Sequence, residues 1–232
     1  MLAAASARTR PYALVESAGV TAPLLVLGTT SFSLEIADVA AATGDFEVAG
    51  FVENLDRKRC AEPLAGLPVY WIDDTSALAG THLAVCGIGT TRRSIFVEQA
   101  AERGLAFATV VHPRAWISPT ATLGEGSIVG AGAVVGAHTE IGRHVHLNRG
   151  ALVGHHTTIG DFCSIQSGAN IAGSCRVGQA TFVAMGAVVV DHLAIGAHSL
   201  IAAGAVVVAD VPDNVQVAGV PARIVKEGIE GR

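Results

Sequence analysis

Charged residues are scarce. Asp, Glu, Lys and Arg make up 15% of the 232 residues, against 50% hydrophobic. The net charge is −5 and no stripe of Lys or Arg appears, which argues against a nucleic-acid partner. No run is long and apolar enough to span a bilayer. The Ala-rich start, Met1 to Tyr12, has no continuous apolar core of signal-peptide length, so a cytoplasmic protein with a flexible leader over 1–21 is expected. Cys60, Cys86, Cys163 and Cys175 follow no zinc or redox spacing and read as buried thiols. HExxH and Cys/His clusters are missing, so no metal site is expected. The absence of GxSxG removes support for a serine triad. Paired carboxylates, which glycoside hydrolysis needs, are not evident among Glu125, Glu140, Asp161, Asp191 and Asp210.

What the chain has is a period. From Ile117, every sixth residue is aliphatic: Leu123, Val129, Val135, Ile141, Leu147, Val153, Ile159, Ile165, Ile171, Val177, Val183, Val189, Ile195, Ile201 and Val207. The next residue is usually Gly or Ala. Neither a helix nor a simple strand generates this spacing, and a fixed internal repeat marks a stacked solenoid. Each hexapeptide supplies one short strand whose aliphatic residue enters a narrow core. Three hexapeptides close one triangular coil, so residues eighteen apart stack. The low charge on such a slender body points to surface covered by partner subunits. The last coil needs a cap, and a short strand, turn and helix are expected after Val211.

Before the solenoid, residues 22–111 alternate strand and helix, as in a small Rossmann-like α/β domain. Leu24–Leu27 reads as a buried strand. A helix runs from about Phe32 to Ala42, capped by Thr30 or Ser31 and ended by Gly44. Further strands lie at 47–52, 83–88 and 106–111. Ligand contacts in such a domain fall at strand C-termini, here Gly28–Ser31, Glu53–Asn54 and Gly87–Thr90. The loop GTTSFS at 28–33 has one Gly where a full GxGxxG would mark a phosphate site, but it offers amides and hydroxyls. Residues 112–232 form the second domain, the parallel β-helix with its tail.

Stacking arithmetic sorts the histidines. His138, His156, Ser174 and His192 share one column. His144, Phe162, Ala180 and His198 share another. His155 lies between Ala137 and Gly173, which leaves a recess beside its ring if the column faces outward. A neutral imidazole with pKa near 6.5 can take a proton near neutral pH, contributing roughly 10²–10⁴-fold to a rate.

The ladder, the α/β domain, LVGHHTTIG at 152–160, DFCSIQSGANIAG at 161–173 and GVPARI at 219–224 together resemble the sialic acid O-acetyltransferase-like family. The resemblance covers about residues 22–225 and implies a left-handed parallel β-helix, although most parallel crossovers are right-handed. It also implies homotrimers with acetyl-coenzyme A as cosubstrate in grooves between solenoids, and an amino-sugar acceptor, nucleotide-linked, in bacterial glycan pathways. His155 matches the general base, and His156 follows it where an acidic residue often orients the imidazole. Asp161 or a neighbouring subunit is then the candidate for that orienting role. Asn148 matches a pocket-lining position. The amide of Gly173 matches an oxyanion donor. Ser164, Met185 and Ala203 match coenzyme-facing positions, Ser164 standing where a histidine is frequent. Thr29, Thr30, Ser31, Glu53 and Asn54 match the stretches that hold the nucleotide or sugar, with GTTSFS in place of a Gly-Gly-His loop.

The resemblance favours N-acetylation over O-acetylation. Transfer of another acyl group, a non-catalytic nucleotide-sugar-binding trimer and a structural trimer with a vestigial first domain are the alternatives that the sequence leaves standing.

Overall fold

The computed structural model describes residues 21–232, together with the backbone of one short strand, β1 (Arg10–Pro11). The expected flexible leader otherwise lies outside the described residues, save Thr21 at its end. β1 pairs antiparallel with Thr122–Leu123 on the first coil.

The α/β domain comprises β2 (Ala22–Leu27), α1 (Ser31–Thr43), β3 (Phe46–Glu53), β4 (Val69–Trp71), β5 (Leu83–Cys86), α2 (Ser94–Glu102) and β6 (Ala106–Phe107). All pairs are parallel, in the order β4-β3-β2-β5-β6. β2 is buried on both sides, as its unbroken apolar run requires: Leu24 and Val26 pack with α1, Leu25 and Leu27 with α2. Thr30 caps α1, its amide donating to the Ser33 hydroxyl at 3.3 Å, and Gly44 ends it at φ 75°.

The six-residue period is realised without a slip. Each of the sixteen aliphatic residues is the second residue of a two-residue strand, and all but the first, Ile117, are buried. The strands stack at eighteen-residue register into three parallel sheets: Ile117 with Val135, Leu123 with Ile141, Val129 with Leu147, and onward. Every corner requires a left-handed residue. Gly132, Gly150, Gly168, Gly186 and Gly204 form one such column, at φ 65–68°. The other two columns carry His138, His156, Ser174 and His192, and His144, Phe162, Ala180 and His198. Five of the nine histidines are therefore corner residues, tolerated at positive φ and stacked on neighbours such as His144 on Phe162 at 5.1 Å.

Two expectations change. The strand expected over 106–111 breaks after Phe107. Val110–Val111 (β7) instead pairs with Ile128–Val129, so the ladder starts one rung before Ile117. No helix follows Val211. After a shortened turn, Val215–Ala218 joins the coil and Arg223–Glu227 returns antiparallel to it. Asp210 and Asp213 accept the amides of Ala194 and Ala197, at 2.8 and 2.7 Å, where the register drops from eighteen to sixteen. No helix among the described residues is long and apolar enough to cross a membrane.

One side chain joins the two domains. Arg93, at the start of α2, is 1% exposed and has no acidic partner among the described residues. Its guanidinium donates to the carbonyls of His144 (2.7 and 3.0 Å), Cys163 (2.7 Å) and Thr90 (2.8 Å), and to Ser164 Oγ (2.8 Å). Burial lowers its pKa to about 10, still well above neutral, so the charge persists. Removing it leaves those carbonyls buried and unpaired. Arg93→Met is expected to cost about 3 kcal/mol or more in urea unfolding, by the usual worth of charge-assisted hydrogen bonds. A loss below about 1 kcal/mol would mean that apolar packing alone holds the seam.

Candidate active site

The coil places His155 on the turn after Leu152–Val153, exposed and one coil above Gly173. A Cβ at Gly173 would stand 2.7 Å from the ring Cε1 and 2.8 Å from Nε2, so the imidazole lies directly over this glycine. The recess expected beside the ring is real, and the ring covers it. The Gly173 amide, like those of Ala137 and His155 at the same corner, donates to no carbonyl within the chain. His155 Nδ1 is 3.1 Å from His156 Nδ1, the rings meeting edge to face, and His156 in turn lies 4.9 Å from His138.

Asp161 does not orient His155. It is held on another corner by Arg143, whose amide, Nε and Nη2 donate at 2.8, 3.0 and 2.8 Å. Ser164 also departs from expectation. It is fully buried in the domain seam and its hydroxyl accepts from Arg93, so it cannot face a coenzyme on an open surface. Met185 and Ala203 are exposed and share a column beside Gly186 and Gly204. Asn148 is one rung before His155, on the opposite edge of the same sheet. Its Oδ1 accepts the Arg149 amide at 2.8 Å and its Nδ2 donates to Gln166 at 3.3 Å. Within one chain a sheet width separates Asn148 from His155.

That sheet is bare. Its outward residues are Trp116, Val134, Leu152, Asn170, Val188 and Val206, with Trp116 56% exposed. The sheet through Ile128, His146, Ser164 and Phe182 is covered by the α/β domain, and the third presents Thr122, Glu140, Thr158 and Arg176. Only one face is both apolar and uncovered, and His155 and Asn148 stand at its two edges.

In the α/β domain, Thr29, Thr30 and Ser31 converge at the start of α1. Glu53 is buried: Thr29 donates to one oxygen and the amides of Asn54, Leu55 and Asp56 donate to the other, at 3.0, 2.7 and 3.3 Å. Burial would raise its pKa, but the Thr29 hydroxyl and these amides outweigh it and hold the carboxyl below the ordinary range. Glu53 thus shapes the loop from within. Asn54 Nδ2 donates to Gln99 at 2.8 Å. Arg59, on the turn after β3, donates to Thr29 Oγ1 at 3.0 Å and is half-exposed. Sequence reasoning missed it, because no motif marks an arginine whose loop is folded back by a buried carboxylate.

No protein-family model matches the chain, and no curated protein sequence does. Solved structures do match. PerB from Caulobacter crescentus, in complex with CoA and GDP-perosamine, is 30% identical over 89% of this chain and 99% of its own, with a TM-score of 0.81. The acetyltransferase domain of PglB from Neisseria gonorrhoeae FA1090, in complex with acetyl coenzyme A, is 30% identical over 89% of this chain and 100% of its own, also at 0.81. WeeI from Acinetobacter baumannii AYE is 25% identical over 88% of this chain and all of its own, at 0.80.

Gly173→Ala tests the seating of His155. Gly173 is not in the left-handed region, so the coil should stay folded while the new methyl drives the ring off its place. A crystal structure of the variant should show the imidazole displaced. An unmoved ring would contradict the geometry described here.

Proposed function

The chain belongs to the hexapeptide-repeat acetyltransferase family, and on that premise we propose that it transfers acetyl from acetyl-coenzyme A to the amine of a nucleotide-linked sugar. The narrower sialic acid O-acetyltransferase resemblance gives way to this broader family. Its relatives include PerB, bound to CoA and GDP-perosamine, and a perosamine N-acetyltransferase from the same organism, 29% identical, which favours N- over O-transfer.

The observation that carries the reading is His155, with its Nδ1 engaged and its ring over Gly173, at the edge of the one apolar face left uncovered. A homotrimer that buries this face brings His155 of one subunit toward Asn148 of the next and forms the groove that neither has alone. Met185 and Ala203 line the path of the coenzyme. A hydrogen bond between two Nδ1 atoms needs a proton on one and a lone pair on the other. With His155 as base, that proton is on its own Nδ1, His156 accepts it as the Nε2–H tautomer, and His155 Nε2 is free. His156 thereby replaces an orienting carboxylate by a neutral acceptor.

In the step, the acceptor nitrogen attacks the thioester carbonyl and a C–N bond forms. His155 Nε2 takes the proton that the amine sheds. The carbonyl oxygen becomes an oxyanion against the Gly173 amide. The C–S bond then breaks, and the thiolate leaves with the proton returned from His155. The products are the N-acetylated sugar and free coenzyme A. The nucleotide is held at the strand ends, by the amides and hydroxyls of Thr29, Thr30 and Ser31 and by Arg59 beside them, with Asn54 near the rim. Glu53 braces that loop.

His155→Ala should lower turnover about 100-fold or more while leaving the oligomer intact in light scattering. Unchanged turnover would remove His155 as the base.

A further inference from the structure

A second histidine has a different environment. His146 belongs to the coil sheet that faces the α/β domain. It is 2% exposed, and neither ring nitrogen has a hydrogen-bond partner of normal geometry within the chain. The Cys86 carbonyl is near enough to favour the protonated ring without making such a bond. Native proteins leave few buried polar groups unsatisfied, and each such group calls for a reason. His146 lines a cleft of about 180 Å³ between α1 and the coil. Phe32 forms the wall opposite, its ring centroid 5.7 Å from that of His146. Asn148 is on the rim, with the Glu35–Arg149 ion pair (2.7 Å) and the carboxylate of Asp38.

We infer that this cleft holds the sugar ring of the acceptor, with His146 as the buried hydrogen-bond partner of a ring hydroxyl. The assignment rests on the function proposed above and deepens it. Pockets for drug-sized ligands measure about 300–1,000 Å³, so this one suits a single ring and not a nucleotide. Phe32 directly follows Ser31, so a ring against Phe32 is adjacent to a diphosphate held at Thr29, Thr30, Ser31 and Arg59. A pyranose has an apolar face for the phenyl ring and hydroxyls that can donate to and accept from an imidazole. The rim carboxylates suit an amine that arrives protonated. Asn148 borders the cleft on one side and the bare sheet on the other, so the amine would emerge where the neighbouring subunit brings its base. A pocket that hydrogen-bonds one hydroxyl rejects sugars that lack it, which makes His146 a specificity-determining residue.

The test compares wild type with His146→Leu. Calorimetry is run with UDP-, GDP-, CMP- and dTDP-linked amino sugars, each beside its parent nucleotide without the sugar. Steady-state kinetics follow acetyl-coenzyme A consumption, and thermal unfolding follows stability. Wild type should bind one nucleotide amino sugar more tightly than the bare nucleotide. His146→Leu should lose that increment by about tenfold or more, the worth of one buried hydrogen bond. The bare nucleotide and the KM for acetyl-coenzyme A should be unchanged. Stability should hold or rise, because an unsatisfied imidazole has been replaced by an apolar side chain. The inference is overturned if no sugar increment exists, if the increment survives in the variant, or if bare nucleotide weakens equally. An increment that depends on His146 without any acetyl transfer would defeat the proposed reaction and leave the cleft assignment standing. Transfer at unchanged acceptor KM in the variant would do the reverse. Should the leucine variant fail to fold, Asn148→Ala at the rim is read by the same comparison, with the same outcomes for and against.

Discussion

Everything in this molecule is set by the eighteen-residue coil. A backbone that must return to register after three hexapeptides admits one aliphatic residue per strand and one left-handed residue per corner. Neighbouring coils are linked strand to strand, so no corner can shift without breaking bonds above and below it. A side chain at a given place in the repeat is therefore fixed in height and direction. That rigidity is what a reaction between two bound molecules needs, since rates depend on holding reacting atoms within about 3–3.5 Å. His155 is a turn residue, yet it is as well placed as one on a strand.

A triangular prism has three faces, and this chain treats each differently. The α/β domain covers one, held there by the buried Arg93 guanidinium and by the apolar core that runs from α1 to Ile128. A second is polar and faces water. The third is apolar and open. The asymmetry decides where copies meet, and so which corners come together. It also explains the low overall charge, because two of the three faces are not committed to solvent. The seam that docks the α/β domain is where Ser164 and His146 went out of reach of bulk water. Docking thus closes one candidate coenzyme contact and creates the narrow cleft lined by His146.

The solenoid was legible in the sequence because its constraint repeats: sixteen aliphatic residues at one spacing leave no competing reading. The corner histidines were legible for the same reason, since adding eighteen gives each neighbour. His155 over Gly173 followed from that arithmetic. The ends were harder to read. Val110–Val111 obeys the six-residue spacing but also continues an α/β strand, and only the break after Phe107 decides between them. The tail beyond Val211 loses its period and gives no local cue that a strand, not a helix, follows Pro221. Ser164 and Arg93 show the deeper limit. Their burial arises from how one domain sits on another, a property carried by neither stretch alone. Glu53 looked like a ligand-facing carboxylate at a strand end, but its own loop turns back and uses all its lone pairs.

The most direct measurement is a crystal structure of the assembled protein with coenzyme A and a nucleotide-linked amino sugar. The account predicts the thiol in a groove between two copies. The sugar amine should lie about 3–3.5 Å from Nε2 of one copy's His155, with Asn148 of the other copy on the opposite wall. A coenzyme bound with its thiol remote from His155, or copies joined through a face other than the one bearing Trp116, Leu152 and Val188, would contradict it.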